Sequence, residues 1–287
     1  MPDTGEFKLV TGRKKRASGV RNNCDLNVPL PNNDGYESDS DANYETLYRK
    51  LREAEIELRS SSFADDVFHC LRDSLDALSA GGISEILCYG LGRFSCQRSS
   101  KYQLALLLSL KDRYGSRIHV YDPVFSSKEI ELLKRFGFNI IKNNEEGKRV
   151  VREDLTLVYM PHCSLHLTNN FLYANWSKNL SRCILLTNSF QAVADNLIKT
   201  STFAPVEYIL RIQPHVREIA LRNSFACEEA FNDLNIHIFL EGDMNALPTS
   251  FWNRGEESRY ENAVVDYFTA VQTGEVDAKN CRSKDET

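Results

Sequence analysis

The residues with the most chemical potential sit in four short stretches. His162-Cys163-Ser164-Leu165-His166 places two imidazoles and a thiol within one loop-length segment. Imidazole and thiolate are metal donors, and a thiol beside a base is the pairing that makes a nucleophile. Structural zinc takes four ligands, usually from two such clusters, and no second cluster is visible. Neighbours on an extended segment also point in opposite directions. Three roles therefore stay open: pocket-shaping loop, ligand contact through His162, or thiol catalysis by Cys163. Gly90-Leu91-Gly92 follows an apolar run and allows a tight turn with close backbone approach. The dinucleotide pattern G-x-G-x-x-G is incomplete, because its last position is Ser95. Asp122, just before Pro123, ends a second apolar run, where an acid can hold ribose hydroxyls or simply close a turn. Asn188-Ser189 ends a later run and can exchange hydrogen bonds with a ligand or with the turn itself. Arg93 and Arg98 flank the glycines and would strengthen an anion site at a helix N-terminus.

These residues need elements to bring them together. Ile83–Tyr89, Ile118–Tyr121, Phe138–Ile141, Leu155–Met160 and Cys183–Leu186 read as buried strands. Helices are expected over the stretch ending at Leu110, over Lys128–Phe136 and over Leu167–Trp176. The polar turn Asn143–Lys148 leads into a short helical segment, with Glu145 and Glu146 favouring its N-terminus. Strand–helix alternation predicts an α/β, Rossmann-like, mainly parallel sheet with flanking helices. Beyond Phe190 the pattern changes. Tyr208–Ile212 and Arg217–Leu221 read as antiparallel additions to the sheet or as a small subdomain, and Ile236–Leu240 is a further apolar run. In a parallel sheet, ligands sit outside the carboxyl ends of the strands. Gly90, Gly92, Asp122, His162 and Asn188 all follow such ends, so they form the candidate ligand site.

The flanks divide as follows. Residues 1–40 read as a disordered tail carrying Arg13-Lys14-Lys15-Arg16, either a nuclear-import signal or a solvated basic end. Residues 41–82 read as a helical extension, with Ser62 and Asp65 at capping-box spacing before its second helix. Residues 83–273 form the α/β domain, with a last helix over Glu257–Ala270, and residues 274–287 a flexible tail.

A hydrophobic fraction of 42% supports a substantial core, and a net charge of −5 argues against a general nucleic-acid coat. The start of the chain shows no apolar leader and no run is long enough for a membrane span. Eight cysteines without a CxxC pair then read as reduced thiols, and the expected location is cytosol and nucleus.

CYGLGRFSCQRSSKYQLALLL, YDPVF, NNEEGK, YMPHC and TNSF occur in this order over Ile83–Phe190. On these motifs the chain resembles the SRR-like family (Sensitivity to Red Light Reduced), and the flanks do so more loosely. The resemblance implies a regulatory protein of circadian clock input and heme biosynthesis, with protein partners and no securely attached reaction. It also makes Glu146, within NNEEGK, a site candidate. A small anionic or nucleotide-like ligand at the strand ends is compatible with it, S-adenosylmethionine, a nucleotide and heme being the candidates. The alternatives are a nucleotide- or S-adenosylmethionine-dependent transferase, and an interaction scaffold without ligand that binds through its first helices.

Overall fold

A computed structural model describes residues 38–152, 154–200 and 206–255, all within one folded unit. Its centre is a sheet of strands β1 (Glu85–Tyr89), β2 (Arg117–Tyr121), β3 (Asn139–Ile140), β4 (Thr156–Tyr159), β5 (Cys183–Asn188), β6 (Arg217–Ala220) and β7 (Leu234–Ile238). Their spatial order is β3-β2-β1-β4-β5-β7-β6. Strands β1 to β5 are parallel, and β7 runs antiparallel to both β5 and β6. The mainly parallel sheet with a C-terminal antiparallel addition is thus what forms. The order reverses between β1 and β4, the point at which a doubly wound sheet opens a crevice at its carboxyl edge.

Alternation along each strand divides the core in two. Ile86, Cys88, Ile118, Val120, Leu157 and Tyr159 face one side. There they meet α1 (Ser38–Arg59), α2 (Ser62–Ala77), α3 (Arg98–Tyr114) and α4 (Ser127–Arg135). The apolar faces of the first two helices, Leu51, Leu58, Phe63, Val67 and Leu71, are fully buried in this layer. Phe63 stacks on Phe231 at a centroid distance of 4.5 Å. These helices are therefore part of the core through that face, while Tyr48 and Ile56 on α1 stay exposed. The cap of α2 is Ser61, whose hydroxyl accepts the Ala64 N–H at 3.2 Å, and not Ser62.

The opposite side packs Leu87, Tyr89, Val158, Met160 and Leu185 under α5 (Leu165–Ala174), α6 (Phe190–Thr200), α7 (Glu207–Ile212) and α9 (Glu241–Ala246). The short α8 (Glu228–Phe231) belongs to the first side. Two expectations are corrected here. Tyr208–Ile212 is helical: Tyr208, Ile209 and Ile212 are buried at helical spacing, and the Tyr208 ring meets Trp176 edge-on at 4.9 Å. Pro214, lacking an N–H, follows in a 3-10 turn. Second, among the described residues no helix follows the turn at Asn143–Lys148 before β4. Glu146 and Gly147 both adopt positive φ, and α5 and its cap supply the missing hydrogen bonds. Asn170 Nδ2 donates to the Glu146 carbonyl (2.9 Å), Asn175 Nδ2 donates to the Arg149 carbonyl (2.9 Å), and Asn175 Oδ1 accepts the Val151 N–H (2.7 Å). With its polar backbone groups bonded by side chains, the segment has no need of a helical ladder.

The N-terminal expectation for residues 1–37, the helix over Glu257–Ala270 and the tail at 274–287 lie outside the described residues. Among the described residues, no helix is long and apolar enough to cross a membrane.

Candidate functional site

The carboxyl edge at the β1/β4 reversal does bring Gly90, Gly92, Asp122 and the His162–Cys163 loop together. Gly90 and Gly92 have φ of 72° and 71°, a left-handed geometry that favours glycine. The Gly92 N–H donates to Asp122 Oδ2 at 2.7 Å, and the Val124 N–H donates to Oδ1 at 3.0 Å. Asp122 thus joins the ends of β1 and β2, with one backbone donor on each oxygen. The side chain is 8% exposed; burial pushes its carboxyl above the usual range, against the pull of the two N–H donors.

The glycines also make room for the protein's own side chains. A Cβ on Gly90 would collide with Cys163 Sγ. One on Gly92 would lie 2.7 Å from Ser100 Oγ and 2.8 Å from Gln97 Oε1. Ser100 Oγ in turn donates to Gln97 Oε1 at 2.9 Å. The Cys163 thiol donates to the Tyr89 carbonyl at 3.2 Å. Burial, with a smaller push from Asp122, raises it far above the ordinary thiol range. A protonated thiol that is already donating is a poor nucleophile and a poor iron ligand.

His162 adopts a positive φ of 55°, and its Nε2 lies 3.2 Å from the Ala230 carbonyl, to which it donates in the matching tautomer. Gln103 Nε2 donates to the same carbonyl at 3.0 Å. The exposed His162 therefore anchors α8 to the loop after β4. His162 and Cys163 are spent on different partners, and no group of three His, Cys, Asp or Glu among the described residues is arranged to hold a metal ion. Heme ligation by this pair does not fit these contacts.

Asn188 ends β5 and turns toward β7, where its Nδ2 lies 3.5 Å from Asp233 Oδ2. Its Oδ1 is buried and has no partner. The Ser164 hydroxyl, at the start of α5 on the same sheet edge, is also buried and unpartnered, and it does not cap its helix. The first turn of α3 likewise lacks a side-chain cap and an acidic residue, while Arg98 opens it. Native structures leave few buried polar atoms unsatisfied, so two on one rim call for a partner.

Residue typing did not single out Glu129, yet it holds the glycine loop. It is fully buried, accepts the Ser95 N–H at 2.9 Å, pairs with Arg93 at 3.2 Å and completes a capping box with Ser126 on α4. The Ser126-x-x-Glu129 spacing was the legible signal. Glu218 does similar work at α6: it accepts the Ser189 hydroxyl and the Gln191 N–H, with the buried His237 at 3.4 Å. Burial alone would raise its pKa, but His237, Ser189 and Gln191 together hold the carboxyl below the usual range. Glu145 caps no helix. It takes a two-pronged ion pair from Arg149 (2.7 Å to each oxygen) and the Tyr89 hydroxyl at 3.3 Å.

Comparison with known proteins places the chain in a family. The SRR1 domain model matches residues 55–238. The mouse SRR1-like protein is 33% identical over 237 residues, 71% of this chain and 92% of its own length. The Drosophila melanogaster SRR1-like protein is 29% identical over 268 residues, 88% and 90% of the two chains. Protein SENSITIVITY TO RED LIGHT REDUCED 1 of Arabidopsis thaliana is 31% identical over 173 residues, 57% and 62%. Among solved structures, the plantazolicin methyltransferase BpumL matches 68% of this chain and 92% of its own at 10% identity, with a TM-score of 0.30, too low to carry any argument. On the domain match and the mouse relative, the chain belongs to the SRR1 domain family.

Proposed function

We propose that this chain is a regulatory binding protein of clock and light input and of heme biosynthesis, acting in cytosol and nucleus. It takes a small anionic or nucleotide-like ligand at the carboxyl edge of its sheet. Support for the process comes from family membership and from the name of the Arabidopsis relative. The observation that carries the ligand is the pair of unpartnered buried oxygens, Asn188 Oδ1 and Ser164 Oγ, on the edge where α3 presents an uncapped first turn. Such a turn offers N–H groups and a positive dipole end to an anion, and Arg98 adds a formal charge. Binding is favoured over catalysis, because the Cys163 thiol is protonated and Asp122 is occupied within its turn. Control of heme synthesis in this reading does not run through heme ligation by His162 or Cys163.

The test is thermal stabilisation of the full chain by S-adenosylmethionine, ATP, NAD and heme. At least one of the first three should raise the melting temperature, and Arg98→Ala with Asn188→Ala should abolish that rise. No response to any of them, or one unchanged in the double variant, overturns the ligand assignment. In cells lacking their own copy, the wild-type chain should restore reporter rhythm and heme content, and the double variant should not.

A further inference from the structure

A groove lies at the other end of the strands. Among the described residues, 141–152 and 154–155 between β3 and β4 carry no helix, and one face of β1, β2 and β3 is open at its amino-terminal half. The groove has a volume of about 1300 Å³. Its floor is built from the first residues of the strands and their same-face neighbours: Glu85, Arg117, His119, Asn139 and Thr156. Strands of a parallel sheet covered on both faces run nearly all apolar. Strand β2 instead reads Arg-Ile-His-Val-Tyr, with Ile118 and Val120 in the core and Arg117 and His119 in the groove. The polar floor is thus written into the alternation of the strand.

The wall comes from residues 145–152 and Asp154. Arg149 is fixed by Glu145 and keeps its edge on the groove, while Arg152 lines it nearby. Arg117 is two-thirds exposed and lies 3.8 Å from Glu85 and 3.9 Å from Asp154, beyond hydrogen-bond length. Its guanidinium is therefore only loosely held. Val150 is the only apolar side chain among the described lining residues, and none of those residues is Phe, Tyr or Trp. What the groove offers is carboxylate, amide, hydroxyl and imidazole groups below, with guanidinium groups and the Lys148 ammonium beside them and the Glu145 and Asp154 carboxylates on the same wall. The first set matches sugar or polyol hydroxyls, and the second matches phosphate oxygens.

We infer that this groove is a binding site for a polyhydroxylated organic phosphate, with Glu85, Asn139 and Thr156 on its hydroxyls and Arg117 and Arg152 on its phosphate. His119 supports the assignment: burial lowers its pKa, so near neutral pH it meets a hydroxyl as an uncharged ring. The site is separate from the carboxyl-edge site proposed above, and Arg98 and Asn188 have no part in it.

Isothermal titration of the full chain with glucose 6-phosphate and with inositol 1,4,5-trisphosphate tests this, with glucose and sulfate as controls. Saturable binding of at least one phosphate ester is expected, with glucose silent and sulfate weaker by about tenfold or more. Arg117→Ala with Arg152→Ala should weaken binding by about tenfold or more without lowering the melting temperature, since Arg117 makes only loose surface pairs. Asn139→Ala should weaken the ester and leave sulfate unchanged, and Arg49→Ala, on the exposed face of α1, should change neither. The inference is overturned if no ester binds at millimolar concentration, if sulfate binds equally well, or if the Arg117/Arg152 variant binds as wild type.

Discussion

Gly90 and Cys163 form the tightest dependency at the residue scale. Each position makes sense only through the other: the glycine leaves the space that the sulfur occupies, and the sulfur closes the loop after β4 onto the end of β1. Gly90→Ala should destabilise the fold by roughly 2–5 kcal/mol, combining left-handed backbone strain with overpacking. Adding Cys163→Ala removes the collision, so the double variant should recover part of that loss and leave about 1–2 kcal/mol from the backbone. Urea denaturation of the four-member cycle measures this coupling. Simple additivity would mean that the sulfur does not fill the glycine's space.

At the scale of elements, two buried acids hold loops that helices alone would not position. Glu129 belongs to α4 by sequence but also secures the glycine loop through Ser95 and Arg93. Its removal leaves the Ser95 and Ser126 N–H groups without their acceptor. Glu129→Ala should cost about 2–4 kcal/mol. Glu131→Ala on the exposed face of the same helix should cost under about 0.5 kcal/mol, since it breaks only a surface pair with Arg135. Urea midpoints of the two variants compare them directly, and equal losses would show that Glu129 acts only as a helix residue. The Asn170 and Asn175 contacts explain in the same way why residues 146–151 stay irregular and why the groove beside them is open.

For the whole molecule, the two core layers share one sheet and should unfold together. Trp176 and Trp252 both lie in the layer opposite Phe63, so tryptophan fluorescence reports on the far side of the sheet. Phe63→Ala should cost about 3–5 kcal/mol. It should move the tryptophan fluorescence transition and the far-ultraviolet circular dichroism transition by the same amount. Separate midpoints would mean that α1 and α2 form a layer that can detach. Their burial against the sheet also accounts for the family match beginning at residue 55, inside α1, well before the first strand.

Sequence alone determined the succession of five parallel strands, the turns at their carboxyl ends and the likeness to a family, because period-two burial and glycine turns are local properties. It also placed Gly90, Gly92, Asp122 and the His162 loop on one rim, since parallel strands send their ends the same way. Tertiary structure decided what those groups do with their hydrogen bonds. Asp122 faces Gly92 and Val124, Cys163 fills the space above Gly90, and Asn175 replaces a helix that the polar turn otherwise suggests. Such pairings join residues dozens of positions apart. Residue type fixes how many bonds a side chain can make, but only packing decides which partner comes within 3 Å.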